Sequence, residues 1–165
     1  MPGRTPAPSP ELIEFTVDDR GPVVEVMHRL LRDRNGWLNL QPAVEPEEVP
    51  PTSGLTRMFA ARGPEVPLAT WMPEPSKKRD DPLAPVSLGL QHSGGAKALW
   101  RLRDEGHPIL EGWRPLSDHP RRGFVLTVPG DADPDRTVAW VVQAAILLSE
   151  MDLPTTWLAG LVYSR

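Results

Sequence analysis

The chain has no cysteine. That excludes disulfides, thiol nucleophiles and zinc centres built on thiolates, and it permits a reducing compartment. Long apolar runs are missing too. The longest, around AILL at 145–148, falls far short of the ~20 residues that a membrane-spanning helix needs. The first ten residues, MPGRTPAPSP, lack the apolar centre of a signal peptide. A soluble, cytoplasmic protein with no membrane partner is the expectation. Excess positive charge is also lacking. The formal net charge is −4, whereas a domain that binds nucleic acid without sequence preference is normally basic. Nucleic acid is therefore not an expected partner.

Several motifs that announce common chemistries are absent as well. There is no GxGxxG, GxxxxGK[ST] or HExxH, and no serine lies in GxSxG. His28, His92, His107 and His119 are the whole imidazole supply, and no two of them stand at i, i+4. His28 is expected to pack half-buried beside the apolar face of its helix. Asp131, Asp133 and Asp135 lack the later glycine and glutamate of a calcium loop, and a helix start explains acids there. No metal and no cofactor is expected.

What is present describes a packed domain. A chain of 165 residues is the size of one domain and can bury roughly 70% of its unfolded surface. Six tryptophans (37, 71, 100, 113, 140 and 157) supply large core pieces. Proline is abundant, at 21 residues, but it is scattered between periodic segments, which fits stiffened loops rather than low-complexity disorder.

Hydrophobic spacing orders the chain. Residues 1–10 form a disordered lead-in, and 11–165 one α+β domain with a proline-rich variable region at 42–84. Period-two alternation predicts strands over 11–17, 37–41, 66–72, 86–92, 124–128 and 155–164. A helix over 21–35 carries Val23, Val26, Met27, Leu30 and Leu31 on one stripe, with Asn35-Gly36 as its left-handed stop. A shorter helix over 94–105 is expected to be capped by Ser93, and a further short one is expected at 55–63. The last helix, 133–151, has Asp133 as cap and Pro134 in its first position, and is apolar nearly all round. The expected fold is therefore a mixed or antiparallel sheet of about five to six strands, with two main helices and the shorter one packed on it. The C-terminal strand LAGLVYS is a candidate sheet edge open to a partner strand.

Two places concentrate polar chemistry. SDHPRR, at 117–122, sets an acid, an imidazole and two guanidiniums directly before a strand. Asp118 and His119 are adjacent, so in extended chain they diverge and cannot form an orienting pair. The segment reads as a charged bend. Trp113 and Arg114 beside His119, Arg121 and Arg122, together with Trp100 off the stripe of its helix, form the candidate ligand or partner patch. The other tryptophans lie inside periodic elements and are expected in the core. The second place is SGGAK, where Ser93, Gly94, Gly95 and Lys97 could hold a small anion at a helix start.

Over residues 86–151 the order strand, helix, Gly112-Trp113 loop, strand, acidic-proline turn and long helix resembles small MmcQ-like domains, for which DNA binding has been suggested. The resemblance rests on element order, this chain is longer and acidic, and no function is carried across. By subtraction the leading expectation is a non-catalytic protein-interaction or ligand-binding module, with self-association as one form of partnering. One alternative is a small hydrolase or transferase using His119 or His92 with an arginine anion clamp. The other is a weak nucleic-acid-binding module needing Arg101, Arg103, Arg114, Arg121 and Arg122 on one face.

Overall fold

The structure, a computed structural model, describes residues 10–49, 63–75 and 83–164. The helix expected at 55–63 lies outside the described residues except for Gly63, and so does the lead-in except for Pro10. Along the chain the elements are β1 (Glu11–Thr16), α1 (Gly21–Asp33), β2 (Gly36–Pro42), a 3-10 turn (Pro46–Glu48), β3 (Leu68–Pro73), β4 (Val86–Gln91), α2 (Ala98–Asp104), β5 (Arg114–His119), β6 (Gly123–Val128), α3 (Pro134–Leu148) and β7 (Thr156–Tyr163). No helix of the described residues is long and apolar enough to cross a membrane.

Seven strands form one sheet in the order β1-β7-β2-β3-β4-β6-β5, and every pairing is antiparallel. The sheet is thus one strand larger than expected. The additional strand is β5, RPLSDH, whose first four residues are exposed whichever way they point. With no buried face it has no alternation to betray it. The order also corrects the expected edge: β7 is interior, between β1 and β2, and the edges are β1 and β5.

One face of the sheet carries the core. Across it, Ala159, Leu40, Ala69, Leu90 and Phe124 stand in one row, and Leu161, Leu38, Trp71, Leu88 and Leu126 in the next, all of them buried. Against this face lies α3, whose Val138, Val141, Ala144, Ala145 and Leu148 are buried; α1 and α2 pack beside it. Asp133 caps α3 by accepting the Asp135 N–H at 3.3 Å, and Pro134 follows it. Trp140 organises the irregular run between α2 and β5. Its indole N–H donates to the Pro108 carbonyl at 2.8 Å, the His107 ring stacks on it at 5.1 Å, and Trp113 meets it edge-on at 5.1 Å.

Two chain reversals differ from the sequence reading. Helix α1 is closed by Arg34, not by Asn35-Gly36: Arg34 holds φ 50°. Its guanidinium donates to the carbonyls of Leu31, Glu74 and Ala84, which offsets the cost of a left-handed non-glycine residue. Gly36 is instead required by proximity, since a Cβ there would lie 2.4 Å from the Val162 carbonyl oxygen on β7. At the β5–β6 turn, Gly123 has φ +81° and a Cβ would fall 1.9 Å from the Leu90 carbonyl oxygen, so no other residue fits without moving β4.

Candidate functional site

SDHPRR closes the β5–β6 hairpin, and its acid and its imidazole each hold backbone N–H groups. Asp118 pairs with Phe124 in register, which turns it toward the helix layer. There its Oδ2 accepts the Leu99 N–H of α2 at 2.9 Å. His119 turns its Nδ1 to the Arg121 and Arg122 N–H groups at 3.1 and 3.3 Å. An accepting Nδ1 carries no proton, so any ring proton sits on Nε2. Arg121 and Arg122 are exposed at the turn.

The same contact revises SGGAK. Helix α2 begins at Ala98, not at Gly94, and its N-cap is Lys97 at φ 56° with no side-chain cap, so Ser93 does not cap it. The backbone group that a bound anion would seek is already held by Asp118, an acid brought in from β5. Gly94 N–H is likewise taken, donating to His92 Nδ1 at 3.0 Å. The side chain of Ser93 is buried, Gly94 and Gly95 are half-buried, and Lys97 is exposed.

His92 is the one imidazole fully inside the protein. Its ring lies 5.8 Å from that of Phe124. Burial pushes its pKa below the ordinary histidine value, with Asp118 pulling the other way and Arg101 adding to the fall. Its Nε2, Ser93 Oγ and Asp118 Oδ1 are buried without a hydrogen-bond partner among the described residues. A hydrolytic relay needs one imidazole nitrogen on the nucleophile and the other on an orienting acid. Here Nδ1 is given to a backbone amide, and no serine among the described residues donates to the ring. No group of three or more histidines, aspartates and glutamates that could hold a metal occurs among the described residues.

The candidate patch around Trp113 separates into parts. Trp113 is 6% exposed and belongs to the core, edge-on to Trp140; the loop that carries it is pinned inward because Trp140 and His107 need partners. Trp100 is 57% exposed, with the Arg103 guanidinium 4.9 Å from the centre of its ring. It borders a hollow of about 590 Å³ with Lys97, Leu99 and Asp118. Arg114 pairs with Thr127 at the opposite end of β5 from Arg121 and Arg122, roughly 17–20 Å away by strand rise. Arg101 and Arg103 stand on α2, on the helix side, with Arg101 bonded to the Gly94 carbonyl and Arg103 to Asp104. These five arginines do not share a face. His28 is exposed rather than half-buried, because it stands one residue outside the Val23–Met27–Leu30 stripe, in a groove of about 470 Å³ over α1.

The largest surface the sequence did not disclose is the second face of the sheet. Its central row runs unbroken through Leu12, Gly160, Asn39, Thr70, Gly89, Val125 and Ser117. Trp37 and Val162 pair on one side of that row, Leu158 and Gln41 on the other. Leu12 is 66% and Met72 39% exposed, and Trp37, Leu68, Val125, Leu158 and Val162 are half-buried. Trp37 was expected in the core and instead stands on this open face. An antiparallel sheet with one solvated face normally alternates apolar with polar residues. Here the uncharged polar positions are Ser, Thr, Asn and Gln, and His119 stands at the β5 rim opposite Gly123. Among the paired strand positions facing this side, Glu14 on β1 and Arg114 on β5 are the charged residues. No described helix lies over it.

The chain matches no protein-family model, no curated protein and no solved structure.

Proposed function

We propose that this domain is a non-catalytic protein-interaction module whose contact surface is the open face of its sheet. One observation carries the reading: seven strands present a nearly uncharged face on which Leu12 and Met72 are exposed and five further large apolar residues are half-buried. Monomeric proteins seldom leave contiguous apolar patches larger than a few hundred Å² in water unless another molecule covers them. Uncharged composition at the centre of a patch is also a mark of interfaces. The polar groups that would serve catalysis support the same reading from the other side. Asp118, His92 and His119 are each engaged in holding backbone.

The test is site-specific photo-crosslinking in cells, with a benzophenone amino acid in place of Met72 on the open face or Gln143 on the outer surface of α3. The expected result is one discrete adduct from position 72, lost when Leu12→Lys is added, and none from position 143. Equal crosslinking from both positions, or none from position 72, overturns the proposal.

A further inference from the structure

We infer that the hollow beside Trp100 is a binding site for a single nucleotide, its base stacked on Trp100, its amino edge turned to Asp118 and its phosphate toward Lys97.

Shape and strain locate the site. The hollow measures about 590 Å³ and is lined by Lys97, Leu99, Trp100 and Asp118, a size within the range of small-molecule pockets. Asp118 turns toward the helix layer, so the site is separate from the open face of the sheet. Side chains form it, and the Leu99 N–H is already taken by Asp118. Lys97 stands at φ 56°, a left-handed conformation that is costly for any residue with a Cβ. The other left-handed non-glycine residue, Arg34, is held there by bonds from its guanidinium to three carbonyls. The Lys97 side chain makes no bond or ion pair among the described residues. Strain of this kind gathers where ligands are clamped.

Chemistry selects the ligand. Trp100 is 57% exposed, and the Arg103 guanidinium lies 4.9 Å from the centre of its ring. A ring held on one face by a cation still offers the other to a flat partner, and every base has a face that stacks on an aromatic side chain. Asp118 gives Oδ2 to the Leu99 N–H, while its Oδ1 is buried without a partner among the described residues. A carboxylate oxygen withdrawn from water needs a donor, and the exocyclic amino group of adenine, cytosine or guanine is one. Lys97 and Asp118 both line the hollow, yet they do not pair with each other. That separation disfavours a free aromatic amino acid, whose ammonium and carboxylate share one carbon. It suits a nucleotide, whose amino edge and phosphate stand at opposite ends. A single nucleotide fits better than a strand. The chain carries a net charge of −4, and the arginines of α2 and of the two ends of β5 do not share a face, as a groove that tracks a phosphate backbone requires.

The purified full chain is titrated by calorimetry at low salt with AMP, CMP, GMP, UMP, adenosine, inorganic phosphate, free tryptophan and a short oligoadenylate. The three amino-bearing nucleotides are expected to bind, with UMP and inorganic phosphate about tenfold weaker or more. Trp100→Ala should weaken AMP about tenfold or more at an unchanged melting temperature, since the side chain is exposed. Lys97→Gln should weaken AMP by a few-fold and leave adenosine unaffected. Asp118→Asn separates reading a base from holding a helix. The Leu99 N–H keeps the amide oxygen as its acceptor, so the amide N–H₂ takes the place of Oδ1. AMP should then bind more weakly and UMP, whose base carbonyls accept, more tightly; a parallel loss of both overturns the role of Asp118. No binding of any nucleotide at millimolar concentration overturns the inference, as does an affinity indifferent to Trp100→Ala. Inorganic phosphate or tryptophan binding as tightly as AMP overturns it too. An oligoadenylate that binds far more tightly than AMP replaces the single nucleotide with a strand.

Discussion

The two faces of this sheet share one backbone and one hydrogen-bond ladder, yet they follow different rules. The helix-side face is filled by Leu, Val, Trp and Phe side chains at or near zero exposure, locked under α3. The open face repeats the alternation with smaller and half-exposed residues, and its polar members carry no charge except at the two rims. Burial on the first face stabilises the fold of a single chain. Apolar surface on the second contributes to folding only in part, and its remaining free energy is released when another surface covers it. The same kind of residue should therefore do different work according to the face on which it stands.

The largest expected effect breaks the comparison at the packed face. Trp157 is fully buried, beside Phe15 with ring centres 6.3 Å apart, and its indole N–H has no acceptor among the described residues. Trp157→Ala should lower the unfolding free energy by about 3–5 kcal/mol, since it removes a large side chain from a site that cannot collapse. Trp157→Phe should cost much less, because the polar atom that it deletes makes no bond. On the open face Leu12→Lys should change stability by under ~0.5 kcal/mol. Urea denaturation of the three variants measures all of this. A cost for Leu12→Lys equal to that for Trp157→Ala would erase the distinction between the faces.

Much of the packed face was legible in the sequence, because burial of one side of a strand or helix forces a period on the residues. Strands β1, β2, β3, β4, β6 and β7 and helices α1 and α3 all lie within a few residues of where that period put them. Features set by contacts distant in sequence were not legible. Asp118 caps α2 from 19 residues away, so nothing local marks Ala98 as the helix start. Arg34 is left-handed because of carbonyls 40 and 50 residues further on. Trp113 looked like an exposed anchor because the partner that buries it, Trp140, stands 27 residues further on, in α3. The open face escaped for a different reason. Alternation identifies the inner residues and leaves the outer ones merely polar on average, and only strand order shows that Leu12, Val125 and their neighbours form one surface.

A middle-sized effect sharpens the comparison through pH. His92 is neutral inside the packed layer, and its pKa lies below the ordinary value because of burial. The unfolded chain therefore binds a proton that the folded chain resists, so stability is complete above ~6.5 and declines as the pH falls below it toward the folded value. His92→Asn can keep an acceptor for the Gly94 N–H and does not titrate. Its urea midpoint should change less than that of the wild type as the pH is lowered through this window. Partner binding through the open face should not share this dependence, because His92 stands on the other side of the sheet. Identical pH profiles for variant and wild type would show that His92 protonation carries none of the acid sensitivity.

The smallest effect is expected on the outside of the helix layer, where charge is plentiful but water competes for it. Arg20, at the start of α1, holds Asp135 at the start of α3 with both ends of its fork, at 2.8 and 3.1 Å. This hydrogen bond keeps the Asp135 carboxyl below the usual carboxylate range and the Arg20 guanidinium above its own. The pair's contribution is thus present above the ordinary aspartate value of ~4 and fades as the pH falls below it. Half of the Asp135 side chain is exposed, at 49%, and an exposed pair of this kind adds at most about 1 kcal/mol. Asp135→Asn should cost no more than that at neutral pH, and the cost should shrink in high salt. A loss comparable to that of Trp157→Ala would mean that α1 is held to α3 by this charge pair rather than by Val23, Met27 and Leu30 beneath it.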